Sequence, residues 1–504
     1  MNMAQPGKAG DWVCWVAGLL PLVTGCAASR AQIVWPRLHQ AARPTPRVDI
    51  RHSASSSWIV PVAHVGQPLA GSDPAEQEAA ETLPAPRGVE VTDRPPGGLT
   101  LDQVINACLL ADPKLRAGFE AINQANADAL SALLKPNPTL FADIQLLPLT
   151  RPFTVERQGG PPQQDVQLGY PIDWFLFGKR AAAMVSAGLG VRVSEAEYAD
   201  LMRQRVTEAA LGFYDVLEAK ELLELARQDV RNFERVEANI RKAVEAGGRP
   251  RVELSRVRLD LLRSQQSLRE AEAAVVAAKA RLQAFLGRTD PDPNFDVAGS
   301  LAAPLTAVPL LVEEAFALAL QNRPDLQALR WKASQAKVNI ELERRKAFPE
   351  VTTTFGYTRQ YQRRAIGFPD ADSWSAAFEM TLPFSDRNQG NRAKASSVFI
   401  QSQREVQASE VALRAEIVTV HKELLTAYEN AQSIGEEQLQ LATEVRDSIT
   451  KAYEEAQGRS LLDVLDAQRN YRETYRLYIT SRAAYWRALY RFHSAVGQQV
   501  VPHD

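Results

Sequence analysis

LDQVINACLLADPKL, residues 101–115, is answered by VEEAFALALQNRPDL, residues 312–326, with Pro113 and Pro324 aligned at an offset of 211. The correspondence continues along the chain. LLKPNPTLFADIQL (133–146) is matched by RRKAFPEVTTTFGY (344–357), again at 211 through Pro138 and Pro349. GYPIDWFLFGKRAAA (169–183) is matched by TLPFSDRNQGNRAKA (381–395), pairing Pro171 with Pro383 and Gly178 with Gly390. AGGRPRVELSR (246–256) is matched by AQGRSLLDVLD (456–466), and Leu286-Gly287 by Val496-Gly497, both at 210. Landmarks that keep their order while the offset stays between 210 and 212 define a tandem duplication. A repeat of this kind sets the architecture before any local reading.

Each repeat holds the same elements. A helix predicted over about 113–135 ends at Pro136 and Pro138, which cannot continue it. Two short segments with period two follow. In 139–147, Leu140, Ala142, Ile144 and Leu146 oppose Phe141, Asp143 and Gln145. In 165–172, Val166, Leu168, Tyr170 and Ile172 oppose Gln167 and Gly169. The second repeat does the same over 351–359 and 374–382, with Val351, Phe355, Tyr357, Trp374, Phe378 and Met380 on one side. Such strands fit a transmembrane barrel with lipid outside and water inside, and equally a half-buried antiparallel sheet.

The long helices separate those readings. Residues 180–246 and 393–457 contain no proline. Leu413, Ile417, Val420, Leu424, Ala427, Ala431 and Ile434 step by 4, 3, 4, 3, 4, 3, a heptad seam. Sixty-odd residues at about 1.5 Å each reach about 100 Å, whereas helices of globular domains average about 10–14 residues. Gly247-Gly248 and Gly458 mark the hairpin turns, followed by return helices over about 251–286 and 461–496. The expected fold is mainly α with a small β part: two long α-hairpins and four strands per chain. Four strands do not close a barrel, since the smallest have about eight, so several chains must contribute.

Composition narrows the function. The 504 residues are 45% apolar and 23% charged, which excludes both a polytopic helical membrane protein and a disordered chain. With 58 basic and 60 acidic side chains the net charge is −2, so nucleic acid is not an expected partner. Cys14, Cys26 and Cys108 form no disulfide framework, and the six histidines take no metal-ligand spacing. No cofactor or metal site is predicted. FGKR (177–180) lacks phosphate-loop spacing, and without a nucleophile–base pair no enzyme is expected. Cys108 falls on an apolar helix face and reads as core, and His421 and His493 read as packed or solvated helix residues. Trp174 and Phe175 suit an aromatic girdle, with packing against the long helix nearly as good a reading.

Residues 12–25, WVCWVAGLLPLVTG, form an apolar run too short for a spanning helix of roughly 20 residues but suited to a signal peptide (1–25). It ends in Val23-Thr24-Gly25-Cys26, which resembles the bacterial lipobox. That resemblance implies an acylated Cys26, and Ala27 after it implies outer-membrane sorting. Ten prolines between 27 and 98 make residues 26–98 a lipidated N-terminus and extended tether. The first repeat occupies 99–300, the second 301–500, and 501–504 form a short tail.

Residues from about 99 to 500 resemble the TolC-like outer-membrane efflux protein family, most specifically in AQGRSLLDVLDAQRNY (456–471). The lipobox and tether resemble its lipidated branch, which serves RND-type pumps. The resemblance implies a homotrimer whose twelve strands form a barrel in outer-membrane lipid, continued by a periplasmic α-helical barrel. The wide end would open outside through loops near 148–163 and 360–373. The helical tip would meet a periplasmic adaptor and an inner-membrane pump. The protein would then be a passive exit duct for a cargo the sequence leaves open. Asp463 and Asp466 match the acidic rings of the family's periplasmic aperture, where carboxylates favour cations. Arg459 matches an arginine that ties the second hairpin to the first, with Glu253 as its partner here. One departure bears on that latch: Glu455 stands where the family often has an aromatic residue, and Tyr453 lies just before it. The alternative is a lipid-tethered trimeric coiled-coil scaffold with an ordinary sheet.

Overall fold

The computed structural model describes residues 98–498 apart from 158, 306–309 and 456–459. The first repeat runs α1 (Leu101–Ala111), α2 (Pro113–Leu133), β1 (Thr139–Gln145), β2 (Gln163–Pro171), a turn of helix α3 (Asp173–Leu176), α4 (Lys179–Glu245) and α5 (Arg251–Phe285). The second runs α6 (Val312–Asn322), α7 (Pro324–Lys346), β3 (Val351–Gln360), the short α8 (Gln362–Ala365), β4 (Ala371–Met380), α9 (Gln389–Ser433), a π-helical turn (Ile434–Gln438), α10 (Leu439–Glu454) and α11 (Leu461–Val496). Among the described residues no helix is long and apolar enough to cross a membrane.

Local chemistry sets the boundaries. Thr100 starts α1 with a capping box: its hydroxyl accepts from the Gln103 amide and its own amide donates to Gln103 Oε1 at 3.0 Å. Asp112 caps α2, accepting from the amides of Lys114 (2.7 Å) and Leu115 (3.3 Å), with Pro113 in the first helical position. The long helices α4 and α9 both begin after a left-handed residue, Gly178 and Asn388. The structural counterpart of Gly178 is therefore Asn388, two residues before the Gly390 that the sequence alignment selects. The return helices end at Gly287 and Gly497, each packed on the last residue of a small helix. A Cβ on Gly287 would lie 2.4 Å from the Ala111 carbonyl oxygen, and one on Gly497 3.2 Å from that of Asn322.

The strands make one antiparallel sheet in the order β1-β2-β3-β4. Register places Ala142, Val166, Tyr357 and Trp374 in one row and Leu140, Leu168, Phe355 and Ala376 in the next, all on one face. That face is open: Trp374 is 84% exposed, Phe378 73% and Leu140 72%. The opposite face carries the rows Asp143, Asp165, Thr358, Ser373 and Phe141, Gln167, Gly356, Ser375. β2 starts at 163 and β4 at 371, slightly earlier than the sequence periods place them, because hydrogen bonding continues after the apolar alternation stops.

At the sheet end α2 packs on α4, α4 on α7, and α7 on α9. Further along, α5 returns along α4, and α11 along α9 and α10. The main core forms where the small helices meet the hairpins. There Val104, Cys108, Phe213, Leu282, Phe295, Ile417, Leu424, Leu489 and Phe492 are buried together. Tyr214 stacks on Trp486 with ring centroids 5.6 Å apart. Of the predicted seam, Leu413, Ile417, Leu424 and Ala431 are buried, with Val420 and Ala427 packed alongside. The second long helix is not the unbroken rod expected over 393–457. The π turn at Ile434 inserts one residue, so the half-buried positions continue at Leu439, Ala442, Arg446, Ile449 and Tyr453, one step out of phase with the seam above.

The repeats differ in the polarity of one ion pair, buried in the first repeat and open on its Glu416 side in the second. Asp112 is fully buried and accepts from Arg205 Nε at 2.8 Å and Nη2 at 2.6 Å. At the corresponding junction of the second repeat stands Arg323, also buried, whose Nη1 donates to both oxygens of Glu416 at 3.1 Å. Asp112 and Arg323 are 211 residues apart, and so are Arg205 and Glu416. The pair keeps its place and reverses its polarity.

Candidate functional site

The end of the hairpins remote from the sheet gathers the predicted site residues. Its support is a small apolar cluster of Phe233, Ile240, Val257, Leu461 and Leu465, with Val244, Leu254 and Tyr453 against it. The first turn closes tightly. The amides of Ala246 and Gly247 donate to the carbonyls of Lys242 and Val244 at 3.0 Å, and that of Gly248 to Ala243 at 2.9 Å. Gly247 takes φ +74°, the left-handed conformation that ends the helix without a Cβ penalty.

At the start of α11, Ser460 and Asp463 form a reciprocal cap. The Asp463 amide donates to Ser460 Oγ at 3.3 Å and the Ser460 amide to Asp463 Oδ2 at 2.9 Å. Asp463 is thus both an acid of the first turn, where the helix dipole favours it, and a structural cap. Asp466 lies one turn on, 65% exposed in its side chain, with Arg469 Nη1 at 3.3 Å. Leu461, Val464 and Leu465 turn inward, so the two carboxylates share the opposite, outward side.

Glu253, in the first turn of α5, faces Arg249 Nη1 at 3.5 Å. The Arg249 guanidinium in turn sits 4.9 Å from the Tyr453 ring centroid, spanning from the first hairpin to the second. Burial pushes the Tyr453 hydroxyl above its ordinary range; Arg249 opposes that shift and Glu253 adds to it. Arg459 and Gly458 lie outside the described residues, as does Cys26. Sequence reasoning noted Tyr453 and missed Arg249. The signal was present in AGGRP: an arginine directly after the turn glycines is held at the tip by the turn itself.

Two further contacts stiffen the approach to the tip. Buried Glu237 accepts from Arg258 Nε at 3.0 Å and Arg241 Nη2 at 2.6 Å, joining α4 to α5, and both arginines hold its carboxyl below the usual range. Asp229 of α4 faces Arg472 of α11 at 3.8 Å, and burial pushes its carboxyl up to about 6.

Of the other residues singled out, Cys108 is buried in the core with its thiol pushed up to about 12 by burial. His421 Nε2 lies 3.1 Å from the Leu310 carbonyl oxygen, and His493 is buried against Tyr490. Trp174 donates to the Pro171 carbonyl at 2.9 Å beneath the Arg180 guanidinium, whereas Phe175 is 71% exposed. Among the described residues no group of three His, Cys, Asp or Glu side chains could hold a metal ion.

The chain matches the family described as outer membrane efflux protein over residues 104–288 and 316–498. It is 25% identical over 374 residues to the cobalt-zinc-cadmium resistance protein CzcC of Cupriavidus metallidurans, covering 74% of this chain and 84% of that protein. It is 22% identical over 328 residues to the probable outer membrane lipoprotein SilC of Salmonella typhimurium, covering 64% and 68%. Among solved structures it superposes on the outer-membrane channel OprN with a TM-score of 0.66 at 16% identity, over 79% of this chain and 89% of that one. The CmeC outer membrane channel of Campylobacter jejuni gives 0.64 at 16% identity, over 80% and 87%.

Proposed function

The chain belongs to the outer membrane efflux protein family, as an outer-membrane channel of an efflux system, and from that premise we propose that three copies form its exit duct, gated at the hairpin tips. The observation that carries the reading is the sheet. It has two unpaired edges, β1 and β4, and one exposed apolar face, a combination that a chain in water would aggregate through. Joining β4 of one copy to β1 of the next three times removes every edge and gives twelve strands. The apolar face then meets lipid and the row of Asp143, Asp165, Thr358 and Ser373 lines water.

Beyond the barrel, the hairpins of three copies continue the wall into the periplasm, and their tips meet a periplasmic adaptor served by an inner-membrane pump, of RND type. Cys26, acylated, holds the N-terminus in the membrane; the lipoprotein SilC supports this. At the tip, threefold symmetry sets three copies each of Asp463 and Asp466 around one axis. Carboxylate rings there pass cations in preference to anions. CzcC is a metal-resistance protein, and Asp143 and Asp165 stand in direct register on the polar face of the sheet, so metal cations are the first cargo to test. The latch joins the hairpins through Arg249 on Tyr453, with Glu253 holding Arg249 and Arg459 completing it.

The test is single-channel recording of the detergent-extracted trimer in planar bilayers. Wild type should give a small, cation-selective conductance. Asp463→Ala with Asp466→Ala should enlarge it or abolish its selectivity. Unchanged currents would remove the gate from these aspartates, and a folded trimer without any pore would end the channel assignment.

A further inference from the structure

The π turn interrupts the second long helix where its support changes. Upstream, Ile417, Leu424 and Ala431 hold α9 in the main core, none of them more than 1% exposed. Downstream, no described side chain of α10 is buried, nor any of α11 between 468 and 478. The first hairpin differs at the matching level. There α4 buries Val230, Phe233, Glu237 and Ile240, and it runs from Lys179 to Glu245 without a π turn. The second hairpin is therefore the loosely held one, and its looseness begins at Ile434–Gln438.

Three features of the turn favour bending there. The Leu439 amide donates to the Ile434 carbonyl, five residues back, so the turn holds one residue more than an α-helix would. Gly435, among the least favourable residues inside a helix, leaves room for the Tyr478 ring of α11, which would stand 3.1 Å from a Cβ. Beside the turn lies a cavity of about 830 Å³ between α9 and α11, lined by Asn430, Ile434, Leu477, Thr480 and Ser481 among others. Bending two paired helices in their common plane lengthens one limb against the other. At an interaxial spacing of about 9 Å, a change of about 1 Å in one limb turns the pair by about 6°. From Tyr478 back to Asp463, about 22 Å at about 1.5 Å per residue, that displaces the tip by about 2 Å. We propose that the π turn is the hinge of the second hairpin, taking up the difference in limb length as that hairpin's tip swings against the first. α11 follows by gentle curvature over 468–478, where no side chain is buried. The assignment rests on the gate reading of the tips and adds where the motion arises.

The experiment deletes Glu437, an exposed residue of the turn, from the full chain. Losing one residue there restores an unbroken α-helix and brings Leu439, Ala442, Arg446, Ile449 and Tyr453 into phase with the seam above, so the trimer should still form. A second stiffened chain carries Gly435→Ala with Tyr478→Ala, which favours the α-helix and clears the ring from the new methyl; Tyr478→Ala alone is its control. Two readouts are taken on the extracted trimer: single-channel openings, and the spread of distances between spin labels on Leu462→Cys, exposed near the tip. Both stiffened chains should open several-fold less often than their references and should narrow the spread of distances. Reference-like openings and distances in an assembled trimer of the Glu437-deleted chain would overturn the hinge. Should that chain not assemble, the same result in the Gly435→Ala chain would overturn it. Failure of the gate reading looks different. Narrowed distances with unaltered currents would keep the hinge and take the gate away from the tips.

Discussion

Removing Arg249 tests the tip quantitatively. Its guanidinium lies 4.9 Å from the Tyr453 ring centroid and its Nη1 3.5 Å from Glu253. A partly exposed cation–π contact contributes about 0.5–1 kcal/mol, and the Glu253 ion pair, within the first hairpin, only orients Arg249, so the latch stabilises the closed tip by up to about 1 kcal/mol per protomer. Three latches released together give up to about 3 kcal/mol, which at about 1.4 kcal/mol per tenfold shifts opening by up to roughly 150-fold. Arg249→Ala should therefore turn brief openings into prolonged ones in single-channel records. Tyr453→Leu should do the same, and Tyr453→Phe, which keeps the ring, should change little. Because both substitutions remove one contact, the double variant should open no further than either single one. Two single variants with wild-type open times, or a double variant whose effect is the full sum, would refute the latch.

Three other outcomes follow from the geometry. Asp229 has a folded-state pKa raised from 3.8 to about 6, so the protonated form is favoured in the fold; stability from this group is full below about pH 4 and is lost as pH rises through 6. Asp229→Asn should flatten that dependence and raise stability at pH 7.5 by at most about 3 kcal/mol, read as thermal unfolding of the solubilised protein at pH 5 and 7.5. Trp374→Arg on the exposed apolar face should destabilise the protein in lipid vesicles by up to about 4 kcal/mol in urea titrations, while Ser375→Arg on the polar face costs far less. Cys108, buried with its thiol pushed up to about 12, should resist maleimide at pH 8 in the folded protein and react promptly in denaturant.

How much of this was legible in the sequence depended on whether a residue's neighbours were near in the chain. Pro113, Pro136 and the proline-free runs reported helix boundaries directly, because breakers act within a turn of themselves. Alternation in 139–147 and 351–359 gave both faces of the sheet, although hydrogen bonding carried β2 and β4 beyond the apolar pattern. The π turn at 434–438 was not read from the sequence, although IGEEQ carries Gly435, an unfavourable residue inside a helix, where a Cβ would stand 3.1 Å from the Tyr478 ring. At the tip, Asp463 and Asp466 were identified by resemblance, but that Asp463 is also the capping partner of Ser460 became evident only from the turn geometry. Arg249 escaped notice because its partner Tyr453 is some two hundred residues away. The inverted pair was written in the alignment at Asp112 and Arg323, yet its meaning needed Arg205 and Glu416, far along two helices of unexceptional charge.

That inversion also constrains the gene. Homologous halves invite recombination, and a conversion tract that copied the codons for 112–114 onto those for 323–325 would have to run on for 93 residues to carry Arg205 onto Glu416. Any shorter tract would encode an aspartate facing the exposed Glu416 and remove the Arg323–Glu416 ion pair. Having diverged at these positions, the two halves lose an ion pair whenever a short tract makes them alike again.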